Sequence, residues 1–118
     1  MKNLLIPDMH YESVFLTDTV DLKQKGIKGI IIDIDNTLVE WGTKEADQKV
    51  IGFISTLLGL GFKICIISNN TRKRVKKFNE ALGLPAIHKA GKPRKKSYLR
   101  AMELLGTHNH NTAVIGDQ

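Results

Sequence analysis

The chain has 118 residues, with 18 Lys/Arg against 12 Asp/Glu, a formal net charge of +6 and an apolar content of 42%. That length suits one domain, residues 1–118, with a modest core, and the composition is ordinary for a soluble globular protein. A single cysteine excludes a disulfide framework or a cysteine metal cluster, and no apolar stretch approaches the ~20 residues a membrane span needs.

Leu4, Leu5 and Ile6 are the only apolar residues between Lys2 and Pro7. They are too few for a signal-peptide core, so a cytoplasmic location is expected. The first clear element is the apolar run around Ile30-Ile31-Ile32, which alternates little and fits a strand covered on both faces. It ends in Asp33-Ile34-Asp35-Asn36-Thr37-Leu38-Val39. Two carboxylates two residues apart at the end of a buried strand repel each other and lose hydration, so a cation or ligand is needed to compensate them.

Val50, Ile51, Ile54, Leu57 and Leu58 recur at helical spacing and stop at Gly59 and Gly61. Lys63–Ile67 reads as a second apolar strand, which includes Cys65 as a core thiol and runs into Ser68-Asn69-Asn70-Thr71. A helix with Val75, Phe78, Ala81 and Leu82 on its apolar face follows, with Gly83 as its stop. Ala86–His88 is a brief third strand. After Gly91-Lys92-Pro93 a third helix offers Leu99, Met102, Leu104 and Leu105 to the core. Thr112–Ile115 is a fourth strand, which runs into Gly116-Asp117-Gln118.

Strands alternating with helices imply right-handed crossovers and an α/β parallel sheet, here in the order 4-1-2-3. In such sheets ligands bind beyond the carboxyl ends of the strands. Asp33 and Asp35, Ser68 and Asn69, Lys92, and Asp117 all follow strand ends, so they converge on one edge. Oxygen ligands suit a hard cation such as Mg²⁺, while a lysine and a hydroxyl meet phosphate oxygens. Blander roles remain open for each: Ser68 and Asn69 as helix caps, Lys92 as solvated surface, Asp117 as an idle terminal acid. His88, His108 and His110 fit loop chemistry better than a site.

Asp33-Ile-Asp-Asn-Thr-Leu resembles motif one of the haloacid dehalogenase (HAD) phosphatase superfamily. Ser68 fits motif two, Lys92 motif three, and Gly116-Asp117 the start of motif four. Pro7-Asp8, Gly26–Ile30, Asp35–Trp41, Ser68-Asn69-Asn70 and Lys92-Pro93 are closer still to subfamily IIIA, in its YqeG/phosphatidylglycerophosphatase-like branch. The resemblance covers essentially the whole chain and implies a three-layer Rossmann-like core.

It also implies a mechanism. Asp33 is the expected nucleophile and Asp35 the proton shuttle. Mg²⁺ is held by Asp33, Asp117 and the backbone carbonyl of Asp35, with Ser68, Asn69 and Lys92 on the phosphate. Thr37 would steady the loop after the first strand. The segments after motif one and between motifs two and three are too short for a cap domain. An open site suits a large or surface-held substrate: phosphatidylglycerophosphate first, a small sugar or nucleotide phosphate second. Relatives continue past Gly-Asp-Gln to a second motif-four acid and a further strand, so the domain is expected to be shortened here, with its fourth strand left as an open edge.

Between Arg72 and Arg100, eleven Lys/Arg stand against one acid, Glu80. Such a segment attracts something anionic, and peripheral contact with the acidic inner face of a membrane is the partner it suggests. Two rivals belong to other classes. A receiver-like domain also gathers acids, a hydroxyl and lysine, but its phosphorylated Asp follows a middle strand, whereas the second strand here ends in Ser68-Asn69. The other is a catalytically idle, anion-binding basic module on nucleic acid, which lacks the interleaved aromatics of a single-strand platform but keeps helix-mediated phosphate binding open to it. Composition leaves the oligomeric state open.

Overall fold

The computed structural model describes residues 9–11, 19–33, 44–68, 75–76, 79–80, 82–88 and 95–115. Its elements in chain order are β1 (Met9–Tyr11), α1 (Thr19–Gln24), β2 (Gly29–Asp33), α2 (Lys44–Gly59), β3 (Lys63–Ile67), β4 (Ala86–Ile87), α3 (Lys95–Leu105) and β5 (Thr112–Ile115). Residues 75, 76 and 79, between β3 and β4, are also helical.

The five strands form one parallel sheet in the order β1-β5-β2-β3-β4. The run β5-β2-β3-β4 is the 4-1-2-3 order expected from the sequence. β1 is the addition, and it corrects the expectation of an open edge beside the fourth strand. Met9, His10 and Tyr11 pair with Ala113, Val114 and Ile115 and cover that edge. A three-residue strand and a six-residue helix, α1, are each too short to show a period.

The alternation of β2 and β3 builds two cores. Ile30, Ile32, Ile64 and Ile66 face one side, where Leu22 of α1 and Ile54 and Leu57 of α2 cover them. Ile31, Cys65, Ile67 and Val114 face the other, beneath Tyr98, Ala101, Met102 and Leu105 of α3. This is the three-layer arrangement of an α/β domain. The positions 98, 101, 102 and 105 form one helical stripe. Leu99 and Leu104, expected in the core, are exposed instead, at 37% and 50%. They lie outside that stripe, and Tyr98 and Ala101 take the inward places.

Three helices end with the same device. Phe62 N–H donates to the Leu57 carbonyl and Gly61 N–H to that of Leu58, with Gly61 at φ 95°. Ile27 with Gly26 and Thr107 with Gly106 repeat this Schellman pattern after α1 and α3. It reverses the chain tightly from helix to strand and satisfies terminal carbonyls. Lys23 Nζ also lies 4.7 Å from the centre of the Phe62 ring, tying α1 to the turn before β3.

The amino end of the sheet is closely packed. A β-carbon at Gly29 would meet Thr107 Oγ1 at 2.8 Å and Cγ2 at 2.9 Å. Thr112 Oγ1 lies 2.6 Å from the His108 carbonyl and 2.8 Å from Thr107 Oγ1. With one proton, Thr112 donates to the carbonyl and accepts from Thr107. The His108 ring is a local cap: Nδ1 accepts from His110 N–H, and the Asn111 side chain accepts from His108 N–H.

Gly29→Ala is expected to destabilise the fold by about 1–3 kcal/mol through overpacking. Adding Thr107→Ala should recover part of that loss. Urea unfolding of the two single variants and the double variant measures the coupling, and strict additivity would refute the contact.

Candidate active site

Parallel pairing brings strand ends together. Asp33 pairs with Ile67, and Ile67 in turn with Ile87, so β2, β3 and β4 finish on one level. β5 ends at Ile115, opposite Ile32, one residue short of it. Among the described residues, those at or just past this carboxyl edge are therefore Asp33, Ser68 and His88. Ser68 is held there by its backbone: its N–H donates to the Ile87 carbonyl at 3.0 Å.

Asp33 is 5% exposed, and Ser68 has no exposed surface. Strands about 4.8 Å apart and a rise of about 3.3 Å per residue put their α-carbons about 6 Å apart. A carboxylate and a hydroxyl so close at the rim of an apolar sheet are poorly hydrated. Buried oxygen donors at such an edge fit the donor set of a hard divalent cation and the oxygens of a phosphoryl group.

Of the residues expected at the site, the fold places Asp33 and Ser68 together. Asp35, Asn69, Lys92 and Asp117 lie outside the described residues, as does Thr37. Among the described residues no group of three or more His, Cys, Asp or Glu forms a metal cluster. His88, which the sequence pattern put at the end of the third strand and assigned to loop chemistry, lies just past β4 in the fold, as Ser68 lies just past β3.

Two spans bear on access. Ten residues, 34–43, join β2 to α2, and eighteen, 68–85, join β3 to β4. A separate domain needs about 50 residues or more, so neither connection holds a cap. α2 begins at Lys44, ahead of Val50 and Ile51, the first apolar residues that marked it in the sequence.

Cys65, three residues before Ser68, is not a rival nucleophile. Burial pushes its thiol from its ordinary 9.0 up to about 12, so it stays protonated near neutrality. Its Sγ faces the Ile66 carbonyl at 3.8 Å inside the sheet.

The fold described above is that of a haloacid dehalogenase-like hydrolase, and the model of that family matches residues 39–118. The chain belongs to this family, and within it to the phosphatases. It is similar to the probable phosphatase YqeG of Bacillus subtilis (strain 168), with 40% identity over all 118 residues, which span 69% of that protein. The solved structure of a candidate 3-deoxy-D-manno-octulosonate 8-phosphate phosphatase from Vibrio cholerae has the same fold, with a TM-score of 0.58 and 19% identity. That match covers 83% of this chain and 61% of the other. The family match begins at Val39, after Asp33 and Asp35, so the place of Asp33 at the site rests on the sheet register and its burial.

Iodoacetamide should leave Cys65 unmodified in the native protein at pH 8 and label it fully in denaturant, as intact mass will show. The folded thiol keeps its proton up to about 12, whereas the unfolded chain releases it near 9.0. Its contribution to stability is therefore complete below about pH 9 and is lost as pH rises toward 12. A Cys65→Ala variant should lack that alkaline component of the denaturation curve.

Proposed function

We propose that this chain hydrolyses phosphomonoesters through an aspartyl-phosphate on Asp33. The observation that carries this reading is a buried carboxylate at the carboxyl edge of the central strand, beside Ser68, in a HAD-family chain. An Asp33 oxygen attacks phosphorus while the bond to the leaving alkoxide breaks, and Asp35 delivers a proton to that oxygen. Asp35 then takes a proton from water, which attacks the phosphoryl group and frees Asp33 and inorganic phosphate. Ser68, Asn69 and Lys92 hold the equatorial oxygens.

Asp33, Asp117 and the backbone carbonyl of Asp35 would hold Mg²⁺, which when bound neutralises the charge that nucleophile and phosphate share. The donor set supports this, because carboxylate and carbonyl oxygens suit a hard divalent cation. The short connections leave the edge open to a large substrate, and phosphatidylglycerophosphate is the one favoured. A small sugar or nucleotide phosphate is the alternative.

Asp33→Asn should lower turnover by at least ~10³-fold while leaving the fold intact by circular dichroism. Chelation of Mg²⁺ should abolish activity reversibly. Hydrolysis that ignores both changes would refute the mechanism. Turnover of phosphatidylglycerophosphate in micelles, compared with sugar and nucleotide phosphates, decides the substrate.

Peripheral membrane contact is part of the same proposal. Lys76, Lys95, Lys96 and Arg100 are all exposed, and no helix among the described residues is long and apolar enough to cross a membrane. Sedimentation with acidic vesicles should exceed that with neutral ones and weaken with salt. Equal recovery would argue against it.

A further inference from the structure

An open cleft of about 580 Å³ runs along the outer side of β4, and Val75, Lys76, Asn79, Leu84, Ala86 and His88 line it. Its volume is in the range of small-molecule sites. Val75, Leu84 and Ala86 make an apolar wall, while Lys76 and His88 are exposed polar groups on its rim. Among the described lining residues there is no carboxylate.

The cleft is built by a rigid turn. Asn79 Nδ2 donates to the Leu84 carbonyl at 2.7 Å, and Asn79 Oδ1 accepts from Leu84 N–H at 3.0 Å. Both ends of the amide are committed to the chain reversal at Gly83, so Asn79 shapes the wall and leaves recognition to Lys76 and His88. The cleft lies near the site. His88 adjoins Ile87, whose carbonyl accepts the Ser68 N–H. β4 lies two strands from β2, which sets the cleft on the order of 10 Å from Asp33.

We infer that this cleft is a second subsite of the same enzyme, one that takes an anionic group on the leaving portion of the substrate. The substrate class is then a phosphomonoester whose leaving group carries a short apolar linker and a second anion. The apolar wall receives the linker, and the Lys76 ammonium and a ring N–H of His88 donate to the distal phosphate or carboxylate. A lipid phosphodiester and a free bisphosphate share that chemistry. The inference rests on the phosphatase reading for the position of the reacting phosphate.

Hexane-1,6-diol bisphosphate and hexyl phosphate differ only in the distal anion and serve as the probe pair. The variant Lys76→Gln/His88→Gln should lower the ratio of their kcat/KM values about tenfold, mainly through KM for the bisphosphate. Lys63→Gln, an exposed change at the opposite end of the sheet, should leave that ratio alone. Micellar phosphatidylglycerophosphate separates the sources: a KM that rises in parallel assigns the distal anion to a lipid. A KM that stays put while the bisphosphate's rises assigns it to a soluble substrate.

Binding gives a readout independent of turnover. In the Asp33→Asn protein with Mg²⁺, the His88 ring resonances should shift on titration with the bisphosphate, and Lys76→Gln should weaken that response. An unchanged kcat/KM ratio, or His88 resonances that stay still, would overturn the subsite. If the wild type cleaves neither probe while His88 responds, the phosphatase mechanism falls and the anion site stands.

Discussion

The central strand β2 is paired in parallel on both sides and covered on both faces, and the rest of the structure depends on that confinement. Its backbone groups pair with β3 and β5, and its five residues are all buried. Full burial of Ile30, Ile31 and Ile32 is worth about 1.5–3 kcal/mol each. An apolar strand with two apolar faces has little to prevent a slip in register, because either face accepts isoleucine. Asp33 supplies what is missing. Sliding it inward by one residue would carry that carboxylate from the rim into the apolar interior of the sheet, between Ile66 and Ile115, at a cost greater than any one isoleucine contact provides. The residue proposed to react therefore also marks where the strand must stop.

That stop sets the geometry of the edge. β3 and β4 end level with Asp33 because each is registered on its neighbour, and the backbone bond from Ser68 N–H to the Ile87 carbonyl helps to hold Ser68 there. The three glycine-ended helix turns at the opposite end return the chain without slack, which keeps the carboxyl edge in line. The packing of Gly29 against Thr107 does similar work: removing a side chain there lets the turn before β5 approach β2.

Charge organises what lies outside the sheet. The surplus of cations between Arg72 and Arg100 is contributed by the segments around β4 and the start of α3. A phosphatase acting on small neutral alcohol phosphates has no need of cations away from the reacting phosphorus. An apolar wall rimmed by Lys76 and His88 gives part of this surplus a local purpose, and the exposed Lys95, Lys96 and Arg100 offer a more diffuse attraction to anionic surfaces. The first is short-ranged and selective, the second salt-sensitive and unselective.

Much of this was legible in the chain alone. The strands ending at Asp33, Ile67 and Ile115, the helices between them and the order of the inner four strands follow from runs of buried isoleucine, helical periodicity and glycine stops. The acid pair after Ile32 raised the expectation of a site because an apolar core tolerates such a pair poorly. The sequence could not show β1, whose three residues carry no period, nor which residues of α3 face inward, since Leu99 and Leu104 are as apolar as the residues that do. Nor could it show the cleft beside β4, which draws on residues 75 to 88 only after Asn79 has closed the turn at Gly83. Local preference and burial are written residue by residue, and so the sequence determined the elements and the position of Asp33. Edge pairing, the rotation of a helix and the walls of a cleft depend on which surfaces compete for the same space, and only the tertiary structure decided those.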